Sequence, residues 1–251
     1  MTKKNKIIRL VVVLSLILVL SIIVSLTGYA VIFTGGATKL LPIYSVERND
    51  NKISISFDCA YGVEYTDEIL RVLNEYDVKC TFFAVEFWVK KYPEYAKKIV
   101  ENGHELQTHS STHPKMSTLS NEEIKKELTS SISVIEEVTG QKVRLFRAPY
   151  GDYDNEVIKV ASDMGLYTIQ WDVDSIDWKD ISAKEITNRI LNKTTSGSII
   201  LCHNNVLNTA KALPSVLARL KEKGFNFVKI SELIYKDNYI INAFGKQIPN
   251  V

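Results

Sequence analysis

Two histidines four residues apart are the feature of this sequence that most directly suggests chemistry. His109 and His113 enclose a Ser-Ser-Thr segment and follow an apolar, strand-like run. Neutral imidazole is the commonest metal ligand in proteins, and a spacing of four residues can place two rings on one face of a helical turn. The pair therefore predicts a site for a divalent cation.

Other chemically useful side chains also come at the ends of apolar runs. They are Asp58, Arg147, Asp174 with Asp177, and His203. The carboxyl ends of parallel strands meet at a single mouth in a barrel, whereas an open sheet spreads them along its edge. Because amide hydrolysis needs a polarising cation, a base and a separate acid, these side chains would suit that chemistry if a barrel brings them together.

The elements that would position these residues alternate between strand and helix. Apolar strands alternating with helices predict a parallel sheet covered by helices, here an irregular (β/α)7 barrel. Capping boxes at Ser120 with Glu123 and at Ser182 with Glu185 mark two helix starts. The predicted strands are 53–58, 80–85, 104–109, 144–148, 167–172, 198–203 and 226–230, and the predicted helices are 66–76, 92–101, 121–138, 155–164, 183–193 and 209–223.

The N-terminal region predicts a membrane anchor. Residues 10–33 contain no charged side chain and are long enough to cross a bilayer at about 1.5 Å per helical residue. Four basic residues precede this stretch, which predicts a cytoplasmic N-terminus and an exported remainder. The alternative is a cleaved secretory signal ending at Gly28-Tyr29-Ala30, but the apolar run is longer than a usual signal-peptide core.

The expected organisation follows from this anchor. We expect a protein of the cell membrane with an extracytoplasmic catalytic domain, or a secreted one if the signal is cleaved. The expected segments are a basic cytoplasmic tail (1–9), a single transmembrane helix (10–33), a linker (34–49), the catalytic domain (50–235) and a C-terminal tail (236–251).

Charge and cysteine content exclude two classes of protein. The net charge is +2, and subtracting the basic residues Lys3, Lys4, Lys6 and Arg9 leaves about −2 on the exported part. No basic surface remains to hold nucleic acid, so we expect no nucleic-acid partner. Three cysteines cannot all pair within one chain, and so few argue against a disulfide scaffold.

Five short segments together resemble the polysaccharide deacetylase family, also called the NodB-homology domain or carbohydrate esterase family four. The resemblance spans roughly residues 50 to 235 and implies the NodB-type barrel. The anchored layout and the segment Trp171-Asp172-Val173-Asp174 look most like the sporulation-associated branch. The five segments are Ser56-Phe57-Asp58-Cys59, His109-Ser110-Ser111-Thr112-His113, Arg147-Ala148-Pro149-Tyr150-Gly151, Asp174-Ser175-Ile176-Asp177-Trp178 and Leu201-Cys202-His203.

The resemblance implies metal-dependent removal of N-acetyl groups from aminosugars of a glycan, peptidoglycan or a related cell-wall polymer. Asp58 would be the general base, and Arg147 would orient it and tune its charge. His109 and His113 would hold the metal, with zinc as the first candidate and cobalt or another transition metal as the alternative.

The remaining roles that the resemblance implies concern the oxyanion, the leaving group and the acetyl pocket. The backbone N–H of Tyr150 would donate to the developing oxyanion. His203 would protonate the leaving amine, and Asp177 would hold that imidazole in its charged form. Trp178 and Leu201 would wall the acetyl pocket.

Cys59 departs from the family pattern, which usually has a second aspartate here as a third metal ligand. A thiolate binds zinc at about 2.3 Å, so Cys59 is a candidate ligand in a Cys-His-His site. It could equally be a small hydrophobe that points away, as the small apolar residue in the sporulation branch suggests. Two alternative functions follow from the resemblance: a glycan-binding pseudoenzyme with an impaired metal site, and an esterase acting on O-acetyl groups.

Overall fold

The computed structural model describes residues 12–19, 21–22 and 39–250, in two compact units, Met1–Lys39 and Leu40–Val251. In the first unit, residues 12–19 and 21–22 are helical with exposed side chains. Within the described part of the chain, no helix has the length and apolar character needed to cross a membrane. The rest of the predicted anchor, residues 10–33, lies outside the described residues.

A parallel sheet forms the centre of the second unit. The strands of this unit are β1 (Ser45–Val46), β2 (Lys52–Cys59), β3 (Thr81–Ala84), β4 (Glu105–Thr108), β5 (Leu145–Phe146), β6 (Tyr167–Thr168), β7 (Val173–Asp174), β8 (Ile199–His203), β9 (Asn226–Phe227), β10 (Tyr239–Ile241) and β11 (Lys246–Pro249). In the described residues the strand order of the sheet is β6-β5-β4-β3-β2-β8-β7, with β9 pairing to β2, and all these pairs are parallel. The predicted irregular α/β barrel is confirmed.

Helices cover the outside of this sheet, and both predicted capping boxes are present, at Ser120 with Glu123 and at Ser182 with Glu185. The helices of this unit are α1 (Thr66–Glu75), α2 (Glu86–Lys91), α3 (Pro93–Glu101), α4 (Asn121–Thr139), α5 (Asn155–Asp163), α6 (Ala183–Lys193), α7 (Leu207–Glu222) and α8 (Ile230–Leu233). The sequence analysis did not predict the short helices α2 and α8. The predicted strand 226–230 is wrong at its end, because α8 begins at Ile230.

Strand β2 shows how the sheet separates its core from its chemistry. Side chains alternate between the two faces of a strand. Ile53, Ile55 and Phe57 are fully buried in the apolar core that includes the helices. Each such burial stabilises the fold by about 1.5–3 kcal/mol. The intervening residues point to the other face, which brings Asp58 into the interior of the barrel.

The segment before β2 closes a gap in the barrel. Strands β6 and β7 are the two ends of the sheet, and residues 43–46 link the end of β6 to the start of β8. The N–H of Ile43 donates to the Thr168 carbonyl (2.9 Å), and the N–H of Val46 donates to the Gly197 carbonyl (2.9 Å). Gly197 has φ +83°, and a Cβ there would lie 1.7 Å from the Val46 carbonyl oxygen. We call residues 43–46 the seam segment; it lies inside the predicted linker, yet Ile43 and Val46 are buried.

The C-terminal tail supports the seam segment. Strands β10 and β11 form an antiparallel hairpin, and β11 pairs in parallel with β1. Gln247 is fully buried, where its side chain accepts from the N–H of Tyr235 (2.8 Å) and donates to the Tyr235 carbonyl (2.7 Å). The compact unit therefore extends beyond the predicted limits of residues 50–235 at both ends.

Candidate active site

Asp58, near the end of β2, forms an ion pair with Arg147 inside the barrel. An Arg147 N–H donates to Asp58 Oδ1 at 2.7 Å, and a second donates to the Gln170 carbonyl at 3.3 Å. Arg147 is fully buried, with its guanidinium 4.1 Å from the centroid of the Phe83 ring. Burial alone would raise the pKa of Asp58, but the charge and hydrogen bond of Arg147, together with the nearby His109 and His203, outweigh it, and the pKa lies below its usual value. Asp58 is therefore an ionised carboxylate at neutral pH.

His109 and His113 lie in a loop after β4, so the expectation of a shared helical turn is wrong. Ser110 and His113 both have left-handed backbones, with φ of 71° and 61°. Such conformations cost about 1–3 kcal/mol each in residues other than glycine and persist where the surroundings enforce them. The loop nevertheless brings the two imidazole rings together, with centroids 5.0 Å apart. The ring of Tyr150 packs edge-on against His113, with centroids 4.5 Å apart.

The chemistry of this histidine pair fits a divalent cation. His109 Nδ1 lies 2.8 Å from the Arg147 carbonyl, which accepts and therefore assigns the proton to Nδ1. The Nε2 lone pair then faces Asp58 Oδ2 at 3.5 Å, so two acceptors point at each other. Burial lowers the pKa of both histidines, to about 4 for His113, and both are neutral at pH 7. Two neutral imidazoles beside a carboxylate are suitable donors for zinc.

The described residues supply these two imidazoles without a third protein ligand. No group of three or more His, Cys, Asp or Glu side chains with metal-binding geometry occurs among them. Cys59 is fully buried in the apolar core with Phe57, and its Sγ lies 3.9 Å from the Phe57 carbonyl. Burial raises the pKa of its thiol well above the usual value. The structure therefore does not bring Cys59 to the histidine pair. Of the two interpretations of this residue, a metal ligand or a small hydrophobe that points away, its position fits the second.

His203 ends β8 and is held by Asp177. His203 Nδ1 lies 2.7 Å from Asp177 Oδ1, and the His203 backbone N–H donates to Asp177 Oδ2 at 2.8 Å. The hydroxyl of Thr209 donates to the same carboxylate at 2.5 Å. Burial would lower the pKa of His203, but the hydrogen bond and charge of Asp177 outweigh it and raise the pKa. This imidazole is positioned to carry and release a proton.

Asp58 and the histidine pair face the same groove as His203. Its volume is about 720 Å³, and Asp58, His109, His113 and His203 all line it. Trp178 and Leu201 also line the groove, with Trp178 60% exposed and Leu201 buried. Tyr150 lines it too and has φ +60° within the 3₁₀ turn Pro149–Gly151. The structure thus brings together the predicted site residues other than Cys59.

Comparison with known proteins identifies the family. The model of the family described as polysaccharide deacetylase matches residues 45–169, which include Asp58, the histidine pair, Arg147 and Tyr150. A peptidoglycan-N-acetylglucosamine deacetylase from Bacillus cereus is 31% identical over 196 residues, covering 76% of this chain and 92% of its own length. The chain belongs to the polysaccharide deacetylase family.

The chain is also similar to an uncharacterized protein and to a pseudoenzyme. The uncharacterized protein YlxY from Bacillus subtilis is 33% identical, covering 77% of this chain but 60% of its own length, so the chain spans under two thirds of YlxY. A solved CE4 family pseudoenzyme from Bacillus anthracis is 39% identical with a TM-score of 0.75, covering 78% of this chain and 69% of its own. A mutant of that protein is described as having restored enzymatic activity.

Two residues that support the candidate site were not predicted as site residues from the sequence. Asn204 is buried and donates from Nδ2 to the Gly62 carbonyl (3.1 Å) and to the Thr66 hydroxyl (3.0 Å), which fixes the loop after β2. Asp172 accepts from Ser198 and Ile199 between β7 and β8. Their proximity to motif residues was the only available signal, because their partners are distant in sequence.

Asp174 and His104 each make a local hydrogen bond to a backbone N–H. Asp174, whose role the sequence left open, accepts from the N–H of Ile176 at 2.7 Å in a turn, although it also lines the groove. His104 lies before β4, at the end opposite the groove, where its Nδ1 accepts from the Cys80 N–H at 3.2 Å. The fourth histidine is therefore not part of the site.

Proposed function

We propose that this domain is a metal-assisted hydrolase that removes N-acetyl groups from the aminosugars of a cell-wall glycan, with peptidoglycan as the first candidate. The observation that carries the proposal is the groove lined by an ionised carboxylate, two neutral imidazoles and an imidazole paired with an aspartate. The peptidoglycan deacetylase named above supports the choice of substrate.

Asp58 is proposed as the general base. An amide is a poor electrophile, so the attacking water must lose a proton as it adds to the carbonyl carbon. Asp58 is ionised and lies at the wall of the groove, where its carboxylate can accept that proton. Arg147 holds one carboxylate oxygen and leaves Oδ2 directed toward His109. The same contact weakens Asp58 as a base, so the water must be acidified by a second group.

His109 and His113 are proposed to hold the ion that meets this need, with zinc first and cobalt or another transition metal as alternatives. A bound divalent ion would polarise the acetyl carbonyl and acidify water. His109 can offer Nε2, because its Nδ1 proton is committed to the Arg147 carbonyl. With two protein ligands, the remaining positions are left to solvent and substrate, and we expect weaker binding than in a site with three.

His203 is proposed as the general acid. When the C–N bond breaks, the amine leaves as a neutral group only if it receives a proton. Asp177 raises the pKa of His203, which favours the protonated imidazole, and fixes its ring through Nδ1, which leaves Nε2–H as the donor. We further propose that the Tyr150 N–H donates to the oxyanion, and that Trp178 and Leu201 enclose the acetyl methyl group.

The test measures acetate release from N-acetylglucosamine oligomers and from peptidoglycan, with zinc or cobalt added. We expect release by the wild type, and at least a hundredfold loss in His113→Ala and in Asp58→Asn. Acetate released equally by all three proteins would contradict the assignment. Parallel assays on O-acetylated glycans distinguish amide hydrolysis from ester hydrolysis.

A second candidate is a glycan-binding pseudoenzyme, and the position of Cys59 favours it. Cys59 occupies the apolar core, and the described residues contain no three-ligand group. The similarity to a solved pseudoenzyme of the family points the same way. The deciding variant is Cys59→Asp: glycan binding without acetate release by the wild type, together with activity in the variant, would establish the pseudoenzyme.

We propose an extracytoplasmic location with residues 10–33 as the anchor. The proposal is supported by the uncharged stretch preceded by four basic residues. Cell fractionation with protease added to the outside tests it, since an anchored protein sediments with membranes and loses its domain to protease. A role in sporulation remains a prediction, to be tested by the timing of expression.

A further inference from the structure

The loop that carries His113 is held by a helix that takes no direct part in the site. The loop runs from Ser110 to His113, has no regular secondary structure, and contains two left-handed residues. A loop of this kind keeps a single conformation only where other groups fix it. The hydrogen bonds of its backbone therefore show what sets the position of His113.

Glu127, on α4, accepts three hydrogen bonds from this loop. Glu127 Oε2 accepts from the backbone N–H of Ser111 at 2.9 Å and from that of Thr112 at 2.8 Å. Glu127 Oε1 accepts from the Thr112 hydroxyl at 2.7 Å. One carboxylate thus satisfies donors of two consecutive residues, and hydrogen bonds to an ionised acceptor are about twice as strong as those between neutral groups.

The rest of the loop transmits this constraint to His113. The His113 N–H donates to the Ser110 hydroxyl at 3.1 Å. On the other side, the Ser111 hydroxyl donates to Glu86 at 2.5 Å, and the Glu86 N–H donates to the Ser110 carbonyl at 3.1 Å. Residues 110–112 are therefore held between the start of α2 and the middle of α4, and His113 follows directly.

We propose that Glu127 is a positioning residue that preorganises His113 for metal binding. This inference rests on the proposed function, in which His109 and His113 hold the ion. With only two protein ligands, the affinity depends strongly on how well the second imidazole is already placed, because ordering a mobile loop on binding would oppose it. Side chains that orient metal ligands typically change affinity by about 10–100-fold when removed.

The test uses three variants of the full chain. Glu127→Ala removes all three contacts. Glu127→Gln can keep them, because its carbonyl oxygen can accept from the two amides while its NH₂ group donates to the Thr112 hydroxyl. Glu137→Ala is the matched control, since Glu137 is an exposed glutamate of the same helix. Zinc affinity is measured by competition with a chelating dye, and amide hydrogen exchange at Ser111 and Thr112 is measured without metal.

The expected result is a zinc Kd about 10–100-fold higher in Glu127→Ala, with Glu127→Gln and Glu137→Ala close to the wild type. The Ser111 and Thr112 amides should lose protection in Glu127→Ala alone. If Glu127→Ala is unfolded by circular dichroism, Glu127→Asp replaces it, since the shorter side chain cannot reach both residues and should also bind zinc more weakly.

Two results would overturn the inference in distinguishable ways. If the wild type binds zinc, His113→Ala does not, and the folded Glu127 variant binds as well as the wild type, the positioning role is wrong while the proposed metal pair stands. If the wild type binds neither zinc nor cobalt, the metal-assisted function itself fails and the inference falls with it.

Discussion

The pKa values of the imidazoles on the two sides of the groove are shifted in opposite directions. On one side, burial lowers the pKa of His109 and His113, and both are neutral at pH 7. On the other side, burial acts on His203 in the same sense, but Asp177 outweighs it and the pKa rises. The side chain is the same, so the difference comes from its surroundings. His203 is hydrogen-bonded to the Asp177 carboxylate, whereas His109 is hydrogen-bonded to a backbone carbonyl and lies 3.5 Å from Asp58, beside the opposing charge of Arg147. The comparison shows that environment divides one residue type between a ligand role and an acid role.

Removing the base should have the largest effect. We expect Asp58→Asn to lower kcat/KM by about 10²–10⁴-fold, because the amide cannot accept a proton from water. Asparagine keeps an oxygen for Arg147, but the buried guanidinium loses its counter-charge, so thermal unfolding must be recorded alongside activity. The control is Asp163→Asn, an exposed residue at the end of α5. Full activity in folded Asp58→Asn would show that Asp58 is not the general base.

The next test removes the charge of Asp177, so that His203, like His109, is no longer hydrogen-bonded to a carboxylate. In Asp177→Asn the charge that raises the pKa of His203 is lost, so burial should lower that pKa. We expect activity to fall by about 10²-fold near neutral pH and the alkaline limb of kcat/KM to move to lower pH. A variant with reduced activity but an unmoved alkaline limb would show that Asp177 is only structural.

The wild-type pH profile of kcat/KM should show the effects of both pKa shifts, that of His203 and that of His113. His203 must be protonated to act as an acid, so activity should fall as pH rises through its raised pKa, which lies above the ordinary value of 6.5. His113 must be neutral to bind metal, so activity should fall as pH drops toward its pKa of about 4. An alkaline limb below pH 6.5 would contradict the tuning of His203.

Arg147→Lys tests how much of the first side depends on a planar cation. Lysine keeps the charge but cannot donate to both Asp58 and Gln170 while lying over Phe83. We expect a loss of about 1–3 kcal/mol in the free energy of unfolding, measured by urea denaturation. Arg71→Lys, at an exposed pair with Glu68 and Glu75, should change it by less than about 0.5 kcal/mol.

The smallest effect should come from Cys59. Because its thiol lies in the apolar core, Cys59→Ala should leave zinc affinity within about twofold of the wild type. The lost packing should cost about 1 kcal/mol of stability. Loss of zinc binding in a folded Cys59→Ala would show that the thiol is a metal ligand together with the histidine pair.

Local signals predicted much of the fold and of the site from the sequence. The apolar strands, the two capping boxes and the positions of Asp58, His109 and His203 at strand ends depend on short stretches of chain, which sequence patterns report well. The short strand β1 and the hairpin could not be predicted, because their hydrogen-bond partners lie elsewhere in the chain. Glu127 was missed for the same reason. Nothing in the sequence of α4 distinguishes Glu127, which contacts the loop of residues 110–113, from the other glutamates of that helix.

The pairing of β1 with β11 has a consequence for how the molecule reaches its native state. Ser45 and Val46 contact Lys246 and Gln247, about two hundred residues further along. Contacts of such long sequence separation form slowly, because a very large loop must close first. A newly made chain should therefore leave this sheet edge exposed until residues 246 and 247 are available to pair with β1.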